Sequence, residues 1–529
     1  MILTQELVKK QNTIYKHPNF DIDKMIYNTK KSPEWIHFGA GNIFRAFLAN
    51  AQQKMLNRGL MDRGIIVAEG FDYELIDYLK KYDNLTINVT LKSNGAIEKD
   101  ILASVAEYLK MKRDEDDFIK LVNYFENPSL QFISLTITEK GYKLTDSSGN
   151  YFHNVKNDFE SGPNGTESYL GKLVSLLYKR FKSGPYPLAI VSMDNMSRNG
   201  ETLENSIMMY AKKWVENNLV ESEFLRYLNN KNYISFPWTM IDKITPRPST
   251  QIAENLEQDG FEEIQPITTS RNTYVAPFVN GEETEYLVIE DSFPNGRPPL
   301  QEVGIIFTDR STVHLIETMK VTTCLNPLHT GLAIFGCLLG YHSIADEMKD
   351  VELLKLINRI GYQEGLPVVK DPIIIDPKTF LDEVIMVRLP NKFIPDTPQR
   401  IITDTSQKMS VRFGETLKKY LNEEKNLEKL VGIPLVIAGW LRYLQGTNDE
   451  LEKIEQSPDP LLEEIENIFS DQDYDSEEHL NKIDGLLSRK EIFGVDLVQI
   501  GLSNRIKQYY MEMNQGTGSV RRTLEKFLV

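Results

Sequence analysis

Several stretches of the 529-residue chain place chemically useful side chains close together. The first is Lys320…Asn326-Pro327-Leu328-His329. A lysine can act as a general base, a carboxamide can donate to a forming oxyanion, and a histidine can hold a neighbouring hydroxyl. Asn326 and His329 stand at i,i+3, so one helix face presents both. Lys320 lies nine residues before His329, out of phase with that face on a continuous helix. Pro327 suits the first position of a helix with Asn326 as its N-cap, which puts Lys320 on a separate, preceding segment. The plain alternative is a capped core helix with a surface lysine and a satisfied histidine.

The second stretch is Gly39-Ala40-Gly41, followed by Asn42, Ile43 and Phe44. It comes after a strand-like run and opens a helix-like one, which is the context of a dinucleotide site. Glycines allow a tight turn and close approach of a pyrophosphate, and the helix N-terminus offers free N–H groups. Phe44 stands where the third glycine of the fingerprint would be. The run GIIVAE ends in Glu69, with Asp72 three residues on. Either acid could bind ribose hydroxyls and repel a 2′-phosphate, favouring NAD over NADP. Both could equally be surface acids after a strand.

Two more segments carry polar groups in suggestive places. Asp194-Asn195 follows the apolar run LAIVS, where an amide at a strand's carboxyl end can donate to an oxyanion; an Asx turn explains it equally well. Arg388…Asn391…Asp396-Thr397…Arg400…Asp404…Lys408…Arg412 gathers cations and amides that suit hydroxyls or a carboxylate, or simply make a charged helix surface. His329 and Cys337 offer at most two metal ligands on a helix face, so metal catalysis is not expected. Cys324 has a weak neighbour pattern for a nucleophile.

The elements that must position these groups fall into two halves. Glu34–Phe38, Gly64–Ala68, Phe132–Thr138 and Leu188–Ser192 read as strands, and Ile43–Met55, Tyr73–Tyr82 and Ser168–Phe181 as helices. Strands alternating with helices argue for an α/β domain with a parallel sheet. The first thirty residues read as a polar arm. FPNGRPP at 293–299 makes a plausible junction. Beyond it, helical patterns dominate, as in His329–His342, Val351–Ile360, Gln407–Leu421 and Leu435–Tyr443. The expected division is therefore residues 1–296, Rossmann-type, and residues 297–529, mainly helical. The acidic stretch Leu451–Asp484 reads as a solvated helical surface with a loop.

Composition narrows the function classes. The chain has 60 Lys+Arg against 76 Asp+Glu, a net charge of −16, and no basic run, which disfavours nucleic acid. Its two cysteines fit a reducing, cytoplasmic compartment and exclude a disulfide framework. The start lacks a secretory apolar stretch, and the longest apolar run is too short to span a membrane.

Taken together, eight stretches resemble the mannitol dehydrogenase family of polyol-specific long-chain dehydrogenases and reductases. They are HFGAGNIFRAF (37–47), SLTITEKGY (134–142), SMDNMSRNGE (192–201), FPWTMIDKITP (236–246), VIEDSFPNGRPP (288–299), MKVTTCLNPLHT (319–330), IPDTPQRIITDTSQKMSVR (394–412) and GWLRYLQGTND (439–449). The resemblance implies an N-terminal Rossmann-type domain, a helical C-terminal domain with the active site between them, and metal-independent hydride transfer with NAD(P). It implies that Lys320 is the catalytic base, that Asn195 and Asn326 hold the oxyanion, and that His329 holds a neighbouring hydroxyl. Asp242, Arg400 and Lys408 match substrate-contact positions, and Glu139 resembles an acid near the proton path. For Lys320 to be partly neutral, burial beside a cationic nicotinamide should lower its pKa.

The family spaces its lysine five residues before the asparagine, and here the spacing is six. Extra length is expected in Gln251–Glu285 and in the acidic stretch. The substrate expected is a small-molecule polyol or sugar acid, with D-mannonate/D-fructuronate favoured by the Arg400–Arg412 cluster. Mannitol/fructose is the alternative, and a non-catalytic dinucleotide-binding regulator a further one. A monomer or small homo-oligomer is expected.

Overall fold

The computed structural model describes every residue except 11–13, 114, 470–472, 475 and 529. Four of these, 470–472 and 475, belong to the acidic stretch, and that part of the expectation lies outside the described residues. The chain forms two compact units, Met1–His314 and Leu315–Val529.

The first unit is built on a six-stranded sheet. Its strands are β1 (Trp35–Phe38), β2 (Ile65–Glu69), β3 (Val105–Lys110), β4 (Phe132–Leu135), β5 (Leu188–Ser192) and β6 (Ile234–Ser235). All five pairings are parallel, in the order β3-β2-β1-β4-β5-β6. β1, β2, β4 and β5 are buried along their whole length, which is why they read as unbroken apolar runs. β3 is an edge strand that carries Glu107 and Lys110, so no apolar run announced it. The order reverses between β2 and β4, on either side of β1. That is the switch point where α/β sheets bind ligands at the carboxyl ends of their strands.

Helices Asp116–Glu126, Tyr169–Ser183 and Asn199–Glu216 pack on this sheet through Phe125, Leu173, Leu177, Leu203 and Trp214. Arg180 is buried beneath them and donates to the carbonyls of Phe125, Asn127, Leu130 and Pro187. Backbone oxygens thus satisfy a buried cation without a carboxylate. The polar arm folds into helices Gln5–Lys9 and Ile22–Lys31, which bury Val8 and Met25. The chain passes the 293–299 turn and returns to this unit, because Ile306–Thr308 pairs in parallel with Tyr286–Glu290.

Among the described residues the second unit has no strand beyond a single bridge, Thr447 to Lys453. Its centre is the helix Asn326–Leu339, where eleven residues are buried. The helix Gly432–Tyr443 is buried throughout. Glu364 binds its amino end, accepting from the N–H groups of Val431, Gly432 and Ile433 at 2.7–2.8 Å. A carboxylate there satisfies orphan donors and opposes the helix dipole. The run Arg310–Leu339 has the length and hydropathy of a membrane span, yet its apolar window is 78% buried inside the protein, as a core helix would be.

Candidate functional site

The turn after β1 is shaped for a phosphate-bearing ligand. Gly39 has φ +106°, and a Cβ there would collide with the Thr136 carbonyl, so only glycine fits. Gly41 opens onto free space. The backbone N–H groups of Gly41, Asn42 and Ile43 make no hydrogen bond within the protein, among the described residues. Free donors at the start of a helix at a sheet switch point fit a pyrophosphate. The Asn42 side chain is spent within the protein, accepting from Arg45 at 3.0 Å. Phe44 is fully buried and stacks on His37 at 4.2 Å, so its side chain offers a ligand nothing. The helix it begins opens with a π-helical stretch, Phe44–Leu48. A wider turn accommodates a large side chain where a third glycine would allow close helix–strand packing.

The two acids after β2 face other work. Glu69 is buried and accepts from Ala40 N–H at 3.2 Å, Phe71 N–H at 2.8 Å and Asp72 N–H at 3.4 Å. Burial pushes its pKa up against the pull of these donors. Asp72 is the N-cap of the helix Tyr73–Lys80, accepting from Leu75 N–H at 3.3 Å and from the Thr269 hydroxyl at 2.5 Å. Glu69 therefore shapes the glycine turn, and Asp72 holds a helix end.

Asn195 is exposed in the loop after β5, and its neighbours pin that loop. Asp194 accepts from Ile137 N–H at 2.9 Å, Thr138 N–H at 3.0 Å and the Tyr142 hydroxyl at 2.5 Å. These bonds hold Thr138 at φ +64°, costly for a β-branched residue. Asn199 is buried and bonds Thr239 through both ends of its amide, at 2.8 Å and 3.0 Å. Asp194 was singled out in the sequence beside Asn195, whereas Asn199 was missed; its only signal was the clustering of polar residues in SMDNMSRN. Asp242 ends the strand Thr239–Asp242, buried and in register with Tyr286. Glu139 is exposed and pairs with Lys143 at 3.1 Å.

In the second unit, Lys320 is buried and begins a π-helical turn, Lys320–Cys324, closed by Leu325 N–H to the Lys320 carbonyl at 3.1 Å. A π-turn takes up more residues than an α-turn, which is how the six-residue spacing to Asn326 fits a helical path. The expected N-cap is displaced by one residue: Leu325 caps the helix and Asn326 is its first residue, with no side-chain cap bond. The Asn326 amide is left uncommitted within the protein, among the described residues, which suits a ligand-facing role better than capping would.

His329 sits one turn further on. Its Nε2 is 3.4 Å from Asp396 but makes no hydrogen bond. Burial lowers its pKa to about 4; Asp396 raises it, and the charges of Arg412, Arg400 and Arg388 lower it further. The imidazole is neutral at pH 7, with a free ring nitrogen. Arg400 is paired with Asp396. Arg412 donates to the Thr330 hydroxyl and meets no carboxylate among the described residues. Burial alone lowers its pKa to about 10. Lys408 donates to the Thr403 carbonyl, and burial pulls its pKa down, with Arg412 adding to this. The structure thus gathers His329, Asp396, Arg388, Arg400 and Arg412 into one cationic cluster. The sequence placed Arg412 in the cluster that could hold a carboxylate, without showing which partners it meets.

The cysteines stand apart from this chemistry. Both are free and buried, with burial pushing each thiol up to about 12, which is unsuited to nucleophilic attack. Among the described residues no group of three or more His, Cys, Asp or Glu is placed to hold a metal ion.

A parallel sheet with a glycine turn at its switch point is the arrangement of a dinucleotide-binding protein, and comparisons with known proteins narrow the class. Residues 33–302 match the mannitol dehydrogenase Rossmann domain, and residues 312–514 the mannitol dehydrogenase C-terminal domain. The chain belongs to the mannitol dehydrogenase family and is a dehydrogenase acting on CH–OH groups. It is 52% identical over 515 residues to a D-mannonate oxidoreductase of Thermotoga maritima, covering 96% of this chain and 95% of that one. Its fold matches Pseudomonas fluorescens mannitol 2-dehydrogenase, solved with NAD and D-mannitol, with TM-score 0.70 and 25% identity over 100% of this chain and 99% of that one. It also matches a substrate-free D-sorbitol dehydrogenase, with TM-score 0.82 and 24% identity over 99% of this chain and all of that one.

Proposed function

We propose that the protein interconverts D-mannonate and D-fructuronate with a nicotinamide dinucleotide, in the cytoplasm, where its two free cysteines remain reduced. The observation that carries the choice of a sugar acid is the cluster around His329. Asp396 and the guanidiniums of Arg388, Arg400 and Arg412 surround the ring, and among the described residues Arg412 meets no carboxylate. A partly buried cation that meets no carboxylate among the described residues favours an anionic substrate over a neutral polyol. The 52% relative, a D-mannonate oxidoreductase, supports the same reading.

The dinucleotide, when bound, accepts or returns the hydride. Backbone N–H groups of Gly41, Asn42 and Ile43 would hold its phosphates. Lys320 takes the proton of the substrate hydroxyl at Nζ. The amides of Asn326 and Asn195 donate to the oxygen as its charge develops, and one donor of this kind is worth roughly 3–4 kcal/mol of barrier. Neutral His329 holds a neighbouring hydroxyl through Nε2. Asp242, Arg400 and Lys408 hold the remaining hydroxyls, and Arg412 receives the carboxylate. Glu69 and Asp72 stand at the end of β2, on the ribose side of the turn, while also accepting from backbone donors and from Thr269.

The test is absorbance at the reduced-nicotinamide band with fructuronate, tagaturonate and fructose, for the native protein and Lys320→Ala. Turnover of fructuronate that falls by about 10²–10⁴-fold in Lys320→Ala is expected, with dinucleotide binding retained. Equal turnover in the variant removes the lysine from the mechanism. Faster turnover of fructose than of fructuronate rejects the sugar-acid reading.

A further inference from the structure

The place beside β2 that normally reads the adenosine ribose is furnished differently here. In sheets of this order an acid at the end of the second strand bonds the ribose hydroxyls, or a nearby arginine accommodates a 2′-phosphate. Glu69 is at that position, but its carboxylate already accepts from three backbone N–H groups, those of Ala40, Phe71 and Asp72. Asp72 has one oxygen on Leu75 N–H and the other on Thr269. Each oxygen of the two acids already accepts at least one hydrogen bond.

A cation is held at this spot by a dedicated piece of chain. The hairpin of Ile267–Thr268 and Tyr274–Val275 docks on the start of the helix Tyr73–Lys80. It is tied there by Thr269 to Asp72 at 2.5 Å, and by Ser270 to Glu74 at 2.6 Å through its hydroxyl and 2.9 Å through its N–H. The hairpin tip carries Arg271. Its guanidinium lies over the ring of Phe71, 5.5 Å from the centroid. Phe71 is 59% exposed, two residues past the end of β2 and next to the acids. A large exposed ring there would be unexplained as packing, and a guanidinium stacked on it is oriented by the stack rather than spent on an ion pair. Arg271 makes no salt bridge or side-chain hydrogen bond among the described residues.

We propose that Phe71 and Arg271 form the wall of the adenosine end of the dinucleotide site, with Arg271 reading the 2′ position, so that the protein binds NADP(H) as well as NAD(H). The planar fork of arginine suits a phosphate, and its face suits an aromatic plane. The hairpin within Gln251–Glu285 thus acquires a function: it delivers the arginine. The proposal rests on dinucleotide binding at the glycine turn.

The test measures binding, not turnover. NADH and NADPH are titrated into the native protein, Arg271→Ala and Arg271→Lys, following nicotinamide fluorescence, with 2′,5′-ADP and 5′-ADP as competitors. In the native protein NADPH should bind within about tenfold of NADH, and 2′,5′-ADP should compete at least as well as 5′-ADP. Arg271→Ala should weaken NADPH by about tenfold or more and NADH by less than about threefold, with Arg271→Lys between. Native discrimination against NADPH beyond tenfold overturns the proposal. So does an Arg271→Ala variant that weakens both dinucleotides equally or neither. Failure of the native protein to bind either one overturns the dinucleotide site itself, and this reading with it.

Discussion

The Nε2 of His329 stands 3.4 Å from a carboxylate oxygen of Asp396, and the histidine is nonetheless neutral. An acid this close ordinarily favours imidazolium. Here burial outweighs it, and three arginines add to the burial. The carboxylate is meanwhile engaged by Arg400. The result is a ring nitrogen fixed in the site without a charge. A substrate hydroxyl can use it without competing against an ion pair.

The pH consequence follows from the direction of this shift. The folded pKa of about 4 lies below the unfolded value near 6.5, so the unfolded chain binds the proton first. The histidine's contribution to stability is complete above the unfolded value and is lost as pH falls toward 4. Turnover should therefore show no histidine titration from His329 between about pH 5 and 8. Asp396→Asn removes the one neighbour that raises the pKa, so the His329 resonance should titrate at still lower pH by NMR. A His329 titration near 6.5 in the native protein would falsify the neutral-imidazole assignment.

Arg412 separates the two substrate classes. Replacing it by methionine keeps the apolar stem and removes the charge. Fructuronate reduction should lose about 10²-fold in kcat/KM, as for a charge-assisted bond worth about 2–3 kcal/mol. Fructose reduction should change by less than about threefold. Equal losses on both substrates would make Arg412 a structural residue.

Glu347 is a liability the protein carries in its second unit. The side chain is fully buried, and neither oxygen finds a hydrogen-bond donor. Burial raises its pKa to about 9, with Asp350 contributing. The folded state thus holds a proton that the unfolded state releases above about 4.5. Stability from this group is full at low pH and declines as pH rises through that window toward 9. Glu347→Gln should raise the melting temperature at pH 8, by the equivalent of about 1–3 kcal/mol, and flatten the fall in stability between pH 5 and 9. Denaturant titrations at pH 5 and pH 8 check both; a variant less stable than the native protein at pH 8 rejects this account.

Much of the framework was legible because it is written in neighbouring residues. β1, β2, β4 and β5 are apolar on both faces because helices cover both sides of a parallel sheet, and such strands stand out as short unbroken runs. The glycine turn was legible because a positive φ and a close carbonyl leave Gly39 no substitute. The break between Lys320 and the helix carrying Asn326 and His329 was legible because Pro327 marks a helix start. Less visible were β3, whose edge position tolerates Glu107 and Lys110, and β6, which has only two residues.

The tertiary structure decided where the polar atoms point. For Glu69 and Asp72 the sequence shows a carboxylate after a strand but not the donors it accepts from; Thr269, which holds Asp72, is 197 residues away. The same holds for Arg412, whose lack of an acid partner is a property of everything folded around it, and for Arg271, which reaches Phe71 only because a distant hairpin docks there. Residue type and spacing are local information, so the sequence by itself determined the class of chemistry. Burial and hydrogen-bond partnership are sums over the folded chain, so only the tertiary structure decided which of those groups remain uncommitted and able to act.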